Sequence, residues 1–247
     1  MSGTMKAAGT VLLTFAALIF VSVSVTASES AFPLQEMTPD LDDKTSLQRG
    51  ARTYMNYCLG CHSLKYQRYE RTANDLEIPH DLMLEHLVFD PDTRIGGLIE
   101  NTMTVENAKV WFGAAPPDLT LYTSLKGGPE YIYSYLKSFY SDRSRPFGMN
   151  NQVFENVGMP HVLLDLQGIQ NKVCEGESCT LELIVGSGSQ TAEEYDQTVY
   201  DLTNFLYYVS EPTRQERERL GVYVLLFLAF FFVFTYLLGR EYTKEFH

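Results

Sequence analysis

Two long stretches without a charged residue bracket a region of mixed pattern. The second, Leu220 to Leu238, reads LGVYVLLFLAFFFVFTYLL and has no polar face. At about 1.5 Å per residue it spans roughly 28 Å, close to the hydrocarbon thickness of a bilayer. A buried core helix of that length would keep a polar stripe, so the pattern predicts one C-terminal transmembrane helix. The first stretch follows Lys6, runs through AAGTVLLTFAALIFVSVSV and ends in Val25-Thr26-Ala27 before the polar Ser28-Glu29-Ser30. That is the form of a secretory signal cleaved after Ala27; an uncleaved N-terminal anchor is the alternative.

Between the two lies a head with helical periodicity and no repeat at a fixed period. Leu47, Ala51, Tyr54 and Cys58 share one face of a helix for which Ser46 is a plausible cap. Glu130 to Tyr140 repeats the pattern with Ile132, Tyr135, Leu136 and Phe139. Glu194 to Val209 does so with Val199, Leu202, Phe205, Leu206 and Val209, ending at Glu211-Pro212. Gly50 either admits the close approach of that last helix or faces solvent. Ala31 to Lys44 reads as an extended lead-in, Asp90 to Leu121 and Ser141 to Leu164 as long loops, and Thr180 to Val185 as a short strand. The expected fold is mainly α with long loops, plus the terminal span. The expected organisation is a signal at 1–27, an exported domain at 28–212, a linker at 213–219, the span at 220–238 and a cytoplasmic tail at 239–247. Arg214, Arg217 and Arg219 before the span outnumber Arg240 and Lys244 after it, against a simple positive-inside reading. Export by the signal sets the orientation instead.

Charge then narrows the function. The chain carries 31 acidic against 19 basic residues, a formal net charge of −12, which repels nucleic-acid phosphates and favours basic partners. Asp40, Asp42, Asp43, Glu175, Glu177, Glu193, Glu194 and Asp196 could steer such a partner or be a merely solvated face. Four cysteines are too few for a disulfide scaffold. In an oxidising compartment Cys174 and Cys179, separated by Glu-Gly-Glu-Ser, are expected to pair.

The motif that carries chemistry is Cys58-Leu59-Gly60-Cys61-His62 at the end of the first helix. Two thiols at this spacing can add to the vinyl groups of one haem, with the adjacent histidine as axial ligand. A zinc site would need two further ligands at similar spacing. A thioredoxin-like dithiol would follow a strand rather than an amphipathic helix. A disulfide across so few residues is strained. A c-type cytochrome head with one covalent haem c is therefore expected. Its second axial ligand is to be found among Met55, Met83, Met103, Met149, Met159, His80, His86 and His161. Met159 in Gly158-Met159-Pro160 stands out, and Met149 after Gly148 is its rival.

Arg49-Gly50, Tyr54, Cys58, Cys61-His62-Ser63, Tyr66 and Tyr69 resemble the haem-binding stretch of the cytochrome c1 family. Trp111 to Leu119, with Pro116-Pro117-Asp118-Leu119, is similar to its Pro-Pro-Asp-Leu segment. Gly158-Met159-Pro160 resembles its sixth-ligand loop, and Asp201 to Pro212 with the terminal helix resembles its carboxyl end. The resemblance implies that Cys58 and Cys61 bind the haem, that His62 and Met159 ligate its iron, and that Pro116 and Pro117 line the pocket. It implies no catalytic residue: the chain would be an electron carrier, a subunit of a dimeric ubiquinol–cytochrome c reductase in a bacterial inner membrane. Its partners would be cytochrome b, the Rieske iron–sulfur protein, membrane lipid and a c-type acceptor, with the haem domain in the periplasm. The alternatives are a free membrane-anchored cytochrome serving a terminal oxidase, and a haem peroxidase or gas-binding protein.

Overall fold

The structure is a computed structural model that describes residues 32–176 and 178–244; the signal expected at 1–27 lies outside them, as do Glu177 and the last three residues of the expected tail. No helix or strand occurs from Phe32 to Asp43, as the extended lead-in requires. Helix α1 is Lys44–Tyr57. Its cap is Asp43, whose carboxylate accepts from the Ser46 amide at 3.0 Å. The expected cap, Ser46, is instead a buried residue of the first turn, its hydroxyl donating to Asp201 at 2.7 Å. A short strand and two short helices follow: β1 (Leu64–Arg68), α2 (Tyr69–Asp75) and α3 (His80–His86).

The stretch from Asp90 to Leu121 is not loop throughout. It holds β2 (Leu98–Ile99), paired antiparallel with β1, and helix α4 (Val105–Phe112), capped by Thr104. Only Ala108 of α4 is buried, so the helix has no apolar stripe for periodicity to reveal. Next come α5 (Tyr122–Leu125) and α6 (Pro129–Lys137). The helix expected to reach Tyr140 stops at Lys137, because Phe139 enters strand β3 (Phe139–Ser141), which pairs with β4 (Met149–Asn151). After α7 (Leu164–Gln167), strands β5 (Gln170–Glu175) and β6 (Ser178–Leu183) form a hairpin in which Cys174 faces Cys179. Gly176, at φ +65°, makes its turn, and the two cysteines are joined in a disulfide.

Helix α8 (Ala192–Ser210) opens on a capping box between Thr191 and Glu194 and packs along α1. Leu47, Ala51, Tyr54 and Met55 meet Val199, Leu202, Phe205 and Leu206 in the main core, with Tyr54 and Phe205 rings 5.8 Å apart. At the crossing, a Cβ on Gly50 would stand 2.0 Å from the Asp201 carbonyl oxygen and 2.7 Å from the Phe205 Cβ. Gly50 is thus a close-approach position rather than a solvent-facing one. The buried Asp201 carboxylate accepts from Ser46, from both Arg49 Nε (2.5 Å) and Nη2 (2.9 Å), and from Gln197 (2.9 Å). The stretch 213–219, expected as a linker, is helical from Arg214: α9 is Arg214–Lys244, it contains the apolar run, and it is long and apolar enough to cross a membrane.

Two predictions follow from this packing. Gly50→Ala gains about 1 kcal/mol of helix propensity but overlaps backbone atoms of α8, and overpacking of that kind costs about 2–3 kcal/mol or more. Thermal melting in detergent should show clear destabilisation, whereas Gly221→Ala, whose Cβ meets nothing within 4 Å, should not. Alkylation without reductant should leave Cys174 and Cys179 unlabelled. Replacing both by serine should remove about 2 kcal/mol by loop entropy, a small amount because the closed loop is short.

Candidate functional site

The end of α1 builds the first wall. Cys58 caps the helix with its amide on the Tyr54 carbonyl at 2.8 Å, and the chain then folds back on itself. The amides of Cys61 and His62 both donate to the Cys58 carbonyl, at 3.0 and 2.8 Å, and the Tyr54 hydroxyl donates to the His62 carbonyl. One tight turn thereby presents two thiols and an imidazole to the same side.

The second wall is the segment after α4. Pro117 offers its carbonyl to His62 Nδ1 at 2.7 Å. A carbonyl only accepts, so Nδ1 carries the proton and Nε2 is left with its lone pair. The segment is fixed against β1: Leu119 donates to the Ser63 carbonyl, and the Asp118 carboxylate accepts from the Lys65 amide (2.8 Å) and the Thr120 amide (2.9 Å).

The facing walls come from α5, α6 and the loop before α7. Tyr122, Tyr131 and Tyr135 line one of them, and Val157, Gly158, Met159 and Pro160 the other. The Tyr135 hydroxyl donates to Met159 Sδ at 3.4 Å. Together these walls enclose a mainly apolar cleft of about 350 Å³. Cys58, Cys61, His62, Pro116, Pro117 and Met159, all named from the sequence, line it together. Two thiols, an imidazole and a thioether among alanine, proline and aromatic walls form a neutral donor set suited to a large, flat, apolar macrocycle with a metal centre.

The other histidine and methionine candidates are elsewhere. Met55 and Met83 are fully buried in the main core. Met149 is packed with Phe139 and Val157 in a smaller cluster against which Met159 rests. His161 stacks on Phe139 at 4.6 Å and meets Gln167 at 2.7 Å; burial pushes its pKa down to about 4, so it is a neutral core residue. His80 contacts Asn74 at the start of α3, His86 is exposed, and Met103 does not line the cleft. None of the described acidic residues proposed to steer a partner lines it either; Asp43, Glu194 and Asp196 are engaged in two helix caps and a contact with Lys137.

The competing readings of the motif lose their support. Burial pushes the Cys58 thiol up to about 12, with Cys61 adding to it, and pushes Cys61 up as well. A redox dithiol needs the opposite shift. Burial lowers the His62 pKa against the pull of the Pro117 carbonyl and Asp118, which keeps the imidazole neutral and able to donate a lone pair. Among the described residues no group of three or more His, Cys, Asp or Glu is placed to hold a metal ion.

Sequence reasoning missed most of the aromatic walls. Tyr57, Phe112, Tyr122, Tyr131 and Phe154 line the cleft without having been singled out. Tyr131 and Tyr135, four apart on α6, carry the signal that could have marked them: a helix that turns one aromatic face to the core and a second to a cleft.

The profile of the Cytochrome C1 family matches residues 98–246, a span that begins after the Cys58–His62 turn. A cytochrome c1 of Allochromatium vinosum is 48% identical over 244 residues, covering 96% of this chain and 98% of that protein. An ammonia monooxygenase gamma subunit of Nitrosomonas europaea is 40% identical over 84% of this chain and 86% of its own length. A cytochrome c1 of Rhodobacter capsulatus is 24% identical over 81% of this chain and 82% of its own. The chain belongs to the cytochrome c1 family, membrane-anchored electron-transfer subunits of the cytochrome bc1 complex that carry one covalently attached haem c.

Proposed function

We propose that Cys58 and Cys61 form the thioether bonds to the haem, that His62 and Met159 are its axial ligands, and that Pro116 and Pro117 wall its pocket. The observation that carries this reading is the sharing of one cleft: of the methionine and histidine candidates, Met159 alone lines it beside Cys58, Cys61 and His62. Bound there, the haem supplies one-electron reduction and reoxidation of its iron. The Pro117 carbonyl fixes the tautomer and orientation of His62, as hydrogen-bond acceptors behind ligating histidines do. Met159 contributes a neutral, soft sulfur that favours the ferrous state, and the apolar walls limit water.

In this reading the chain accepts electrons from the iron–sulfur protein and passes them to a c-type cytochrome, making and breaking no bonds itself. The signal is removed after Ala27, the head lies in the periplasm, α9 crosses the inner membrane among lipid, and the complex is a dimer. The similarity to an ammonia monooxygenase subunit supports a second reading, the same redox site attached to a different assembly. Purification in mild detergent separates the two, because cytochrome b and the iron–sulfur protein should accompany the chain. Recovery with an oxygenase, or alone, would overturn the first reading.

The ligand assignment has its own test. Met159→His leaves Cys58, Cys61 and His62 intact, so it should keep a covalent, six-coordinate haem. The stronger nitrogen donor should lower the midpoint potential by about 200 mV, within the roughly 0.8 V that axial ligands command. At about 59 mV per tenfold, reduction becomes more than a thousandfold less favourable. A redox titration matching the wild type would show that Met159 is not the ligand. Reduced wild-type protein should also fail to bind carbon monoxide; binding would favour a peroxidase or gas-binding role.

A further inference from the structure

The sulfur of Met159 has a polar neighbour that neither the motif nor the assigned function requires. Tyr135, in the last two turns of α6, points its hydroxyl at Met159 Sδ across 3.4 Å, and this is the contact the hydroxyl makes. A thioether is a weak acceptor, so a partly buried phenol would normally find a carbonyl or carboxylate instead. Its position is over-determined. The Tyr135 ring stacks on Tyr131 at 6.2 Å and meets the edge of Phe139 at 5.2 Å. The Tyr135 carbonyl accepts from the Ser138 amide (3.2 Å) and hydroxyl (3.2 Å), and from Asn151 Nδ2 (2.7 Å). Asn151 in turn holds the start of the loop that leads to Met159, accepting from the amides of Val153 (2.9 Å) and Phe154 (3.1 Å). The donor and the loop bearing the acceptor are thus tied to one framework. A phenol is protonated at neutral pH, so the hydroxyl has a proton to donate.

We propose that Tyr135 is a positioning residue for Met159, its hydroxyl holding the thioether sulfur and raising the potential of the haem that Met159 ligates. The inference rests on the reading of Met159 as axial ligand. A sulfur that accepts a hydrogen bond on one lone pair is a poorer donor through the other. The ferric state depends more on donor strength than the ferrous state, so the hydrogen bond favours the ferrous form. Hydrogen bonding around a ligating sulfur is one of the levers by which a protein tunes such a centre.

Tyr135→Phe deletes the hydroxyl and keeps the ring packing against Tyr131 and Phe139. Equilibrium redox titration of the full-length, haem-loaded protein should show the ferrous form disfavoured about threefold, the scale of one neutral hydrogen bond. At 59 mV per tenfold this is a fall of about 28 mV. The melting temperature should fall by no more than a few degrees, the loss of one hydrogen bond, whereas a purely structural role would move stability and leave the potential alone. Tyr135→Leu, which removes the ring too, should also lower the potential and serves if the phenylalanine variant assembles poorly. A Tyr135→Phe protein with an unchanged or raised potential, in a background where Met159→His lowers it, overturns the proposal alone. A Met159→His protein at the wild-type potential overturns the ligand reading and the proposal together.

Discussion

The head depends on the closeness of two helices at one residue without a side chain. Gly50 lets the backbone of α1 rest against the Asp201 carbonyl of α8, a separation that no Cβ could occupy. Close approach then makes the polar contacts of the same crossing possible. Ser46, one turn before Gly50, and Arg49, its immediate neighbour, both reach the buried Asp201 carboxylate. Asn204, one turn further along α8, bonds Asp40 and Ser46 and pulls the extended lead-in onto the pair. A buried carboxylate without these donors would be strongly unfavourable, so the polar contacts and the close packing enforce one register between the helices. That register has consequences at both ends. The C-terminus of α1 carries the Cys58–His62 turn, and the C-terminus of α8 leads through Pro212 into α9. The Cys58–His62 turn and the long apolar helix are therefore attached to the same packed unit.

The cleft is built differently from the core. Apart from the end of α1, one face of α6 and single residues of α4 and α5, its walls are irregular segments. Each is fixed by side chains that bond to backbone. Asp118 ties the Pro116–Pro117 segment to Lys65 and Thr120. Arg145 donates to the carbonyls of Asn156 (2.7 Å) and Val157 (3.2 Å), just ahead of Gly158 and Met159. Asn150 accepts from the amides of Asn151 and Asn156. Such bonds contribute about 1 kcal/mol each, far less than the helix packing, but they are directional. Direction is what a metal ligand needs, since its position decides both its bond to iron and its replacement by water.

The difference explains what could be read from the sequence. The helices containing Leu47, Ala51 and Tyr54, and Val199, Leu202 and Phe205, were legible because one apolar face meets one core. Cys58, Cys61 and His62 were legible because their chemistry dictates the spacing. Met159 stands out in Gly158-Met159-Pro160 over its rival Met149, and the structure puts it in the cleft while Met149 and His161 pack around Phe139. Helix α4 was not legible, since Val105, Val110 and Trp111 are exposed and no stripe repeats. The Ser46 cap was misplaced because Asp43, three residues earlier, is an equally good cap, and the burial that claims Ser46 comes from Asp201, far away in sequence.

Neutrality of the donor set ties these strands to function. The chain has a large excess of acids, yet none of the described acidic residues lines the cleft; Asp43 and Glu194 cap helices and Asp201 pairs with Arg49. A carboxylate beside the iron would stabilise the ferric state and hold the potential down. The cleft instead presents a neutral imidazole, a thioether and aromatic rings, and Asp118, the carboxylate that acts on His62, already accepts from two amides. An electron carrier that must receive from an iron–sulfur centre needs this bias toward the ferrous form. The fold keeps charge out of the cleft and sets weak dipoles, the Pro117 carbonyl and the Tyr135 hydroxyl, against His62 and Met159.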